Sequence, residues 1–236
     1  MDGTTIPRTV GPMIRWTRVK AVAGPYSTRH MKASNPMALN YSTARFVASY
    51  QTPEQLPAPT APEISFVGRS NVGKSSIMNK IFKRKGLVKV SSRPGSTQAI
   101  NFFDVDGAVF ADLPGYGFAK VPPSEKERWK RLIDGYFTQE RRHALCVSLI
   151  DIRHDASKLD VQMVTYLMEH EIPFIIAFTK ADKLSRSKQE QQVRSLCRQL
   201  AFAGEVVALP CSAETAQGVD DLRAIIEDAL RQEKRG

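Results

Sequence analysis

Eight residues, Gly68 to Ser75, constrain this chain more than any others. They read GRSNVGKS and match the pattern G-x-x-x-x-G-K-[ST]. Ile64 to Val67 before them reads as a short buried strand. Ser76 to Lys83 after them reads as a helix with Ile77, Met78, Ile81 and Phe82 apolar. Strand, glycine-rich loop and helix form the setting in which such a loop binds phosphate. Gly68 and Gly73 allow a backbone tight enough to aim several N–H groups inward. The helix N-terminus adds partial positive charge. Gly68, Arg69, Ser70, Asn71, Val72, Gly73, Lys74 and Ser75 are therefore expected to cradle phosphates, with Lys74 facing the β- and γ-phosphates and Ser75 offering its hydroxyl to magnesium. The bland alternative is a glycine-rich turn with a surface lysine.

The rest of the chain supplies what this loop needs around it. From Glu63 onward strands and helices alternate, which predicts an α/β fold with a mostly parallel sheet. Ile100 to Val105 and Ala108 to Ala111 read as a hairpin turned at Asp106-Gly107. Leu145 to Ile150, Pro173 to Phe178 and Val206 to Leu209 read as further strands, giving six in all. Trp129, Leu132, Ile133, Tyr136 and Phe137 mark one helix face, and Leu159, Met163, Val164 and Leu167 another. Val193, Leu196, Cys197 and Leu200 mark a third, and Val219, Leu222, Ile225, Ile226 and Leu230 the last. Ser124 with Glu127, and Ser187 with Glu190, read as capping boxes.

Composition shifts at the N-terminal quarter. The 236 residues carry a formal charge of +10, and 42% are hydrophobic, enough for a full core. Residues 1–62 hold seven Lys and Arg against two acids, Asp2 and Glu54, so this quarter carries half the excess. Residues 1–36 read as a basic extension, residues 37–62 as an arm and Pro-rich linker, residues 63–231 as the main domain and 232–236 as a tail. The extension has two readings. It resembles an organelle transit peptide, or it is a disordered leader ahead of a start at Met31 or Met37. Ala44 to Tyr50 reads as a short ordered arm. The basic excess suggests an anionic partner. Cys146, Cys197 and Cys211 show neither disulfide nor metal spacing. No apolar run approaches the ~18 residues of a membrane helix.

Three later motifs each follow a strand. Ligands in open α/β sheets bind beyond the strands' carboxyl ends, so the motifs should share one cleft. Asp112-Leu113-Pro114-Gly115 fits a magnesium and γ-phosphate sensor, with Asp112 holding the ion through water and the Gly115 N–H meeting the phosphate. Thr179-Lys180-Ala181-Asp182 fits a guanine reader. The Asp182 carboxylate can accept from guanine N1–H and the 2-amino group, and adenine has neither donor. The Lys180 stem can lie along the base and Thr179 can brace the loop. Cys211-Ser212-Ala213 can donate backbone N–H groups, from Ser212 and Ala213, to guanine O6. One such match is weak, but four in this order are specific.

Taken together, GRSNVGKSS, RPGSTQAINFF, DLPGYGFA, TKAD and CSAE resemble the EngB (YihA/YsxC) family of translation-factor-class P-loop GTPases. The resemblance runs from about Met37 to Leu230 and includes ALNYSTARFVAS and DIRHDASKLDVQM. It departs at Ala156, where the family usually has Pro, and residues 1–36 have no counterpart in it. It implies that Gly95, Ser96, Thr97, Gln98 and Ala99 form a mobile nucleotide-binding loop whose Thr97 completes a magnesium shell with Ser75 and Asp112. Lys74, Thr97 and Asn71 are then the catalytic set. Asn71 resembles the loop asparagine that helps bind potassium in cation-activated relatives. Tyr116 stands where some GTPases place the Gln that orients water, which implies slow intrinsic hydrolysis or help from a partner.

The implied cofactors are GTP or GDP, Mg2+ and K+. The implied partner is the large ribosomal subunit or its precursor, with a role in its assembly and in normal cell division and septation. The expected state is a monomer without integral membrane segments, in the cytoplasm, or in the mitochondrial matrix if residues 1–36 are a transit peptide. The basic run Lys80, Lys83, Arg84, Lys85, Lys89 and Arg93 is a candidate RNA surface, against the plainer reading of a solvated helix end. A GTP-regulated binding module organising the division site, without a ribosomal role, is the other reading. A GTPase driving tRNA modification or ion transport would need further domains. Arg153 and His154 read as a surface turn.

Overall fold

A computed structural model describes residues 38–89, 99–117, 122–204 and 206–233; the expected extension lies outside them, as do residues 90–98. Seven strands form one sheet: β1 (Arg45–Tyr50), β2 (Glu63–Gly68), β3 (Ile100–Val105), β4 (Ala108–Asp112), β5 (His143–Asp151), β6 (Phe174–Thr179) and β7 (Ala208–Pro210). Their order is β1-β3-β4-β2-β5-β6-β7. From β4 to β7 all pairs are parallel, while β1–β3 and β3–β4 are antiparallel.

The parallel strands read as near-continuous apolar runs because both faces are covered. Five helices do the covering: α1 (Lys74–Ile81), α2 (Pro123–Thr138), α3 (Lys158–Glu169), α4 (Arg186–Gln199) and α5 (Val219–Glu233). Ile64, Phe66, Val147 and Leu149 pack with α1 and α5 through Ile77, Met78, Leu222 and Ile226. Val67 and Cys146 point to the other face and meet Leu132, Ile133, Met163 and Leu167 of α2 and α3. Ile150, Ile176 and Phe178 meet Val164 of α3 and Leu196 of α4.

Three local readings are corrected. The sheet has a seventh strand, because the Ala44–Tyr50 arm pairs with β3 as β1. Phe46 and Tyr50 anchor it edge-on to Phe103 and Phe102. Helix α2 opens at Pro123 with no side-chain cap, so Ser124 and Glu127 form no box. Proline at the first helical position has no N–H to leave unpaired, and the Glu125 and Lys126 N–H groups donate to the Pro122 carbonyl at 3.0 and 3.3 Å. Helix α4 opens at Arg186 after Ser185, which makes Ser187 its second residue rather than its cap; Glu190 pairs with Arg186 at 3.8 Å instead. A capping box does occur at α3. There the Asp160 N–H donates to Ser157 Oγ at 3.2 Å, and the Ser157 N–H donates to Asp160 Oδ2 at 2.8 Å.

The Pro-rich stretch is docked rather than free. Pro53 lies on Gly135 of α2, where a Cβ would come within 2.4 Å of it. Gln139 donates to the Pro53 carbonyl at 3.1 Å. At the strands' N-terminal end, Glu63 is buried with Arg141 at 2.6 Å and the Tyr136 hydroxyl at 2.8 Å. Burial pushes the Glu63 carboxyl up against the pull of Arg141. This buried pair fixes the end of the sheet opposite the loops that carry the motifs.

Candidate guanine-nucleotide site

Because β4, β2, β5, β6 and β7 are parallel and adjacent, their carboxyl ends fall on one edge in that order. Strand β2 sits where the connections diverge, toward β4 on one side and β5 on the other, and ligands of such sheets gather at that point. The glycine-rich loop leaves β2 there.

Its backbone is held in an unusual shape. Asn71 has φ 62° and Gly73 has φ 101°. At Gly68 a Cβ would lie 2.9 Å from both the Leu149 carbonyl oxygen and Val72 Cγ1, so only glycine fits without a shift. Helix α1 begins directly at Lys74, two residues earlier than the sequence pattern suggests. Lys74 is buried and paired with Asp112 at the end of β4. Asp112 also accepts from Asn101 Nδ2 at 3.3 Å.

The Asp112–Gly115 stretch is laced to the loop. The Leu113 N–H donates to the Phe66 carbonyl at 3.0 Å, the Tyr116 N–H to the Gly68 carbonyl at 3.2 Å, and the Ser70 N–H to the Tyr116 carbonyl at 2.8 Å. Gly115 lies so close that a Cβ would meet the Ser70 nitrogen at 3.2 Å. Pro114 accepts from Trp129 Nε1 at 3.0 Å.

The loop is held from the other side by β6. Thr179 Oγ1 donates to the Val72 carbonyl at 2.7 Å, and Lys180 Nζ to the Asn71 carbonyl at 2.7 Å. Lys180 itself has φ 60°, and its stem passes near Gly73. The Ala181 N–H donates to the Cys211 carbonyl at 3.0 Å, joining this turn to the end of β7. Ser212 Oγ donates to Asp182 Oδ1 at 2.6 Å and accepts from the N–H groups of Glu214 and Thr215, each at 3.1 Å. The Ser212 bond, with Lys183 beside it, holds the Asp182 carboxyl below its ordinary value and keeps it a charged acceptor near neutral pH. The Ser212 N–H, expected to face a base, is instead donated to the Gln217 carbonyl at 2.9 Å. Ser212 therefore acts through its hydroxyl, while Ala213 lines the cleft.

That cleft, about 670 Å³, is lined by Gly73, Lys180, Asp182 and Ala213 together with Lys80 and Lys83. Its size suits a nucleoside. The expected residues Gly68–Ser75, Asp112–Gly115, Thr179–Asp182 and Cys211–Ala213 thus converge. Gly95, Ser96, Thr97 and Gln98 lie outside the described residues, and Ala99 is buried just before β3. Ser75 and Asp112 are hard oxygen donors from two adjacent elements. Magnesium takes one or two such protein ligands together with substrate phosphates, so this donor set fits the ion. Among the described residues no cluster of three or more His, Cys, Asp or Glu occurs.

Two residues gain roles that spacing did not assign. Tyr116 turns away from the loop into the core. It packs edge-on against Trp129 and donates its hydroxyl to buried Asp160 at 2.9 Å. Burial and the neighbouring Asp160 push its hydroxyl well above the usual phenol value. Arg153 closes a fork on Asp151 at 2.8 and 2.9 Å. Only the side-chain directions reveal either contact. Tyr116→Phe is expected to leave Asp160 short of a donor and lower the unfolding free energy by roughly 1–3 kcal/mol. Nucleotide affinity should be unchanged; urea unfolding and a nucleotide titration check both.

Comparison with known proteins fits this geometry. The pattern of the family described as 50S ribosome-binding GTPase matches residues 63–180. A probable GTP-binding protein EngB of Exiguobacterium sibiricum is 43% identical over 178 residues, 75% of this chain and 92% of that protein. Its counterpart from Geobacillus kaustophilus is 41% identical over 189 residues, 80% of this chain and 97% of that protein. A crystal structure of a probable GTP-binding protein EngB superposes with a TM-score of 0.58 at 27% identity, covering 72% of this chain and 99% of that one. Era in complex with MgGDPNP and a segment of 16S ribosomal RNA shares the fold, with a TM-score of 0.56 at 17% identity, covering 72% of this chain and 57% of that one. A glycine-rich loop braced from both neighbouring strands, in a chain this similar to EngB proteins over nearly their whole length, identifies a P-loop GTPase of the EngB family.

Proposed function

We propose that this GTPase is a nucleotide-gated factor that docks on the large ribosomal subunit during its assembly, and through that step supports cell division and septation. One observation carries the reading: Lys80, Lys83, Arg84 and Lys85 line the same cleft as Asp182. Cations at a helix end ordinarily serve the helix's own carbonyl groups. Here another residue does that work. Arg223 of α5 reaches across and donates to the Lys80 carbonyl at 2.7 Å and the Ile81 carbonyl at 2.8 Å. Among the described residues the run forms no ion pair; Arg84 donates to the Ser42 carbonyl. The lysines are therefore left to an outside anion, and RNA phosphate fits. The family description, 50S ribosome-binding GTPase, points the same way.

The nucleotide end follows from the same residues. Lys74 is the cation that would face the β- and γ-phosphates, and Ser75 and Asp112 would hold magnesium. The ion neutralises charge developing on the transferred phosphoryl group. Hydrolysis breaks the bond between the γ-phosphorus and the β–γ bridging oxygen as water attacks, yielding GDP and phosphate. Tyr116 is committed to Asp160 and cannot orient that water, so the chain's own turnover is slow and the docked partner completes the site. Lys83 to Lys89 directly precede residues 90–98 in the chain, so a γ-phosphate sensed by Thr97 would act on the segment that continues from these basic residues.

Two measurements test the reading. Asp182→Asn replaces one carboxylate oxygen with an amide donor and leaves a guanine donor unpaired. GDP affinity should fall by roughly 1–3 kcal/mol, while XDP, with a carbonyl in place of the 2-amino group, should bind better. Unchanged preference for GDP would refute the base assignment. For the partner, Lys83, Arg84 and Lys85 are changed together to Ala and pelleted with large subunits across a salt series at saturating GTP analogue. Binding should weaken, and its salt slope should flatten by about one unit per lost phosphate contact. A variant that pellets like the parent places the docking surface elsewhere.

A further inference from the structure

We propose that Asp151 is a positioning residue of the guanine site, which holds the Lys180 ammonium over the Asn71 carbonyl so that the lysine stem is set beside Gly73 before a base arrives. The inference rests on the reading of Thr179–Asp182 as the guanine loop.

Asp151 ends β5, between the glycine-rich loop and the guanine loop. Its Oδ2 lies 2.9 Å from Lys180 Nζ, which at the same time donates to the Asn71 carbonyl at 2.7 Å. The ammonium thus has two fixed acceptors, one on each neighbouring element. Asp151 is itself fixed. The Arg153 N–H donates to Oδ1 at 3.1 Å, and the guanidinium closes a fork with Nε on Oδ1 at 2.9 Å and Nη2 on Oδ2 at 2.8 Å. Backbone geometry sets the distance: Asp151 is the register partner of Thr179, and the Ile152 N–H donates to the Thr179 carbonyl at 3.1 Å. Partial burial would raise the Asp151 carboxyl, but the hydrogen bonds from Arg153 and Lys180 outweigh it and hold the group well below the carboxylate range. The anchor is therefore charged at neutral pH.

The consequence is one of order. A lysine stem free in water samples many rotamers, and a base that must immobilise it loses affinity to that ordering. Asp151 removes most of that cost in advance.

The test is a double-mutant cycle on the full chain with Asp151→Asn, Lys180→Ala and both together. It reads fluorescent GDP and GTP affinity and the unfolding temperature without nucleotide. Lys180→Ala should weaken both nucleotides. Asp151→Asn alone should weaken GDP and GTP by the same factor, about three- to tenfold, mainly through faster release, because the contact lies at the base end. In the Lys180→Ala background it should cost nothing further. If Lys180→Ala leaves affinity intact, the guanine-loop reading fails and the inference falls with it. If Lys180→Ala weakens binding but Asp151→Asn does not, or the two losses add, the positioning role alone is overturned. A loss confined to GTP overturns it as well. Asp151→Ser, run in the same cycle, replaces Asp151→Asn if the amide unfolds the nucleotide-free protein.

Discussion

Everything in this molecule depends on holding one loop open. The backbone between β2 and α1 takes left-handed conformations at Asn71 and Gly73, which cost energy at the non-glycine residue. It keeps that shape because neighbours on both sides bond to it. Tyr116 accepts from Ser70 on the β4 side, and Thr179 and Lys180 donate to Val72 and Asn71 on the β6 side. These bonds make the three motif loops one unit. Such bonds couple the loops, which is the property a nucleotide-sensing device needs.

Much of this was legible in the sequence. A parallel sheet buried on both faces leaves apolar runs, so β2, β5 and β6 stood out within a residue or two of their bounds. Parallel strands also place successive loops on one edge, so motif order alone predicted convergence. What stayed hidden depended on side-chain direction or on partners distant in sequence. The edge strand β1 is mostly exposed and carries no alternating pattern; its pairing with β3 comes from aromatic contacts some 55 residues away. The helix starts at Pro123 and Arg186 were misplaced by two residues, because Ser124 and Ser187 are the second residues of their helices rather than the caps before them. Tyr116 could be recognised as replacing a glutamine, but not as bonded to Asp160. Asp151 looked like the last residue of a strand, and its clasp on Lys180 follows only from the β5–β6 register.

The charge distribution gains meaning from the same contacts. Arg223 stacks on Tyr41 at 5.3 Å and caps α1, so one residue ties the arm, the last helix and the phosphate-facing helix together. Among the described residues, Lys83 and Lys85 form no ion pair with any acid, which is the observation the proposed RNA contact starts from.

The central claim is that these four strand ends form a site selective for guanine. Competition of GDP, IDP and ADP against a fluorescent guanine nucleotide on the unaltered protein, at fixed magnesium, tests it most directly. IDP lacks the 2-amino donor, and ADP lacks both donors that Asp182 would accept. The expected order is GDP tightest, IDP weaker and ADP weakest. ADP competing as well as GDP would contradict the account.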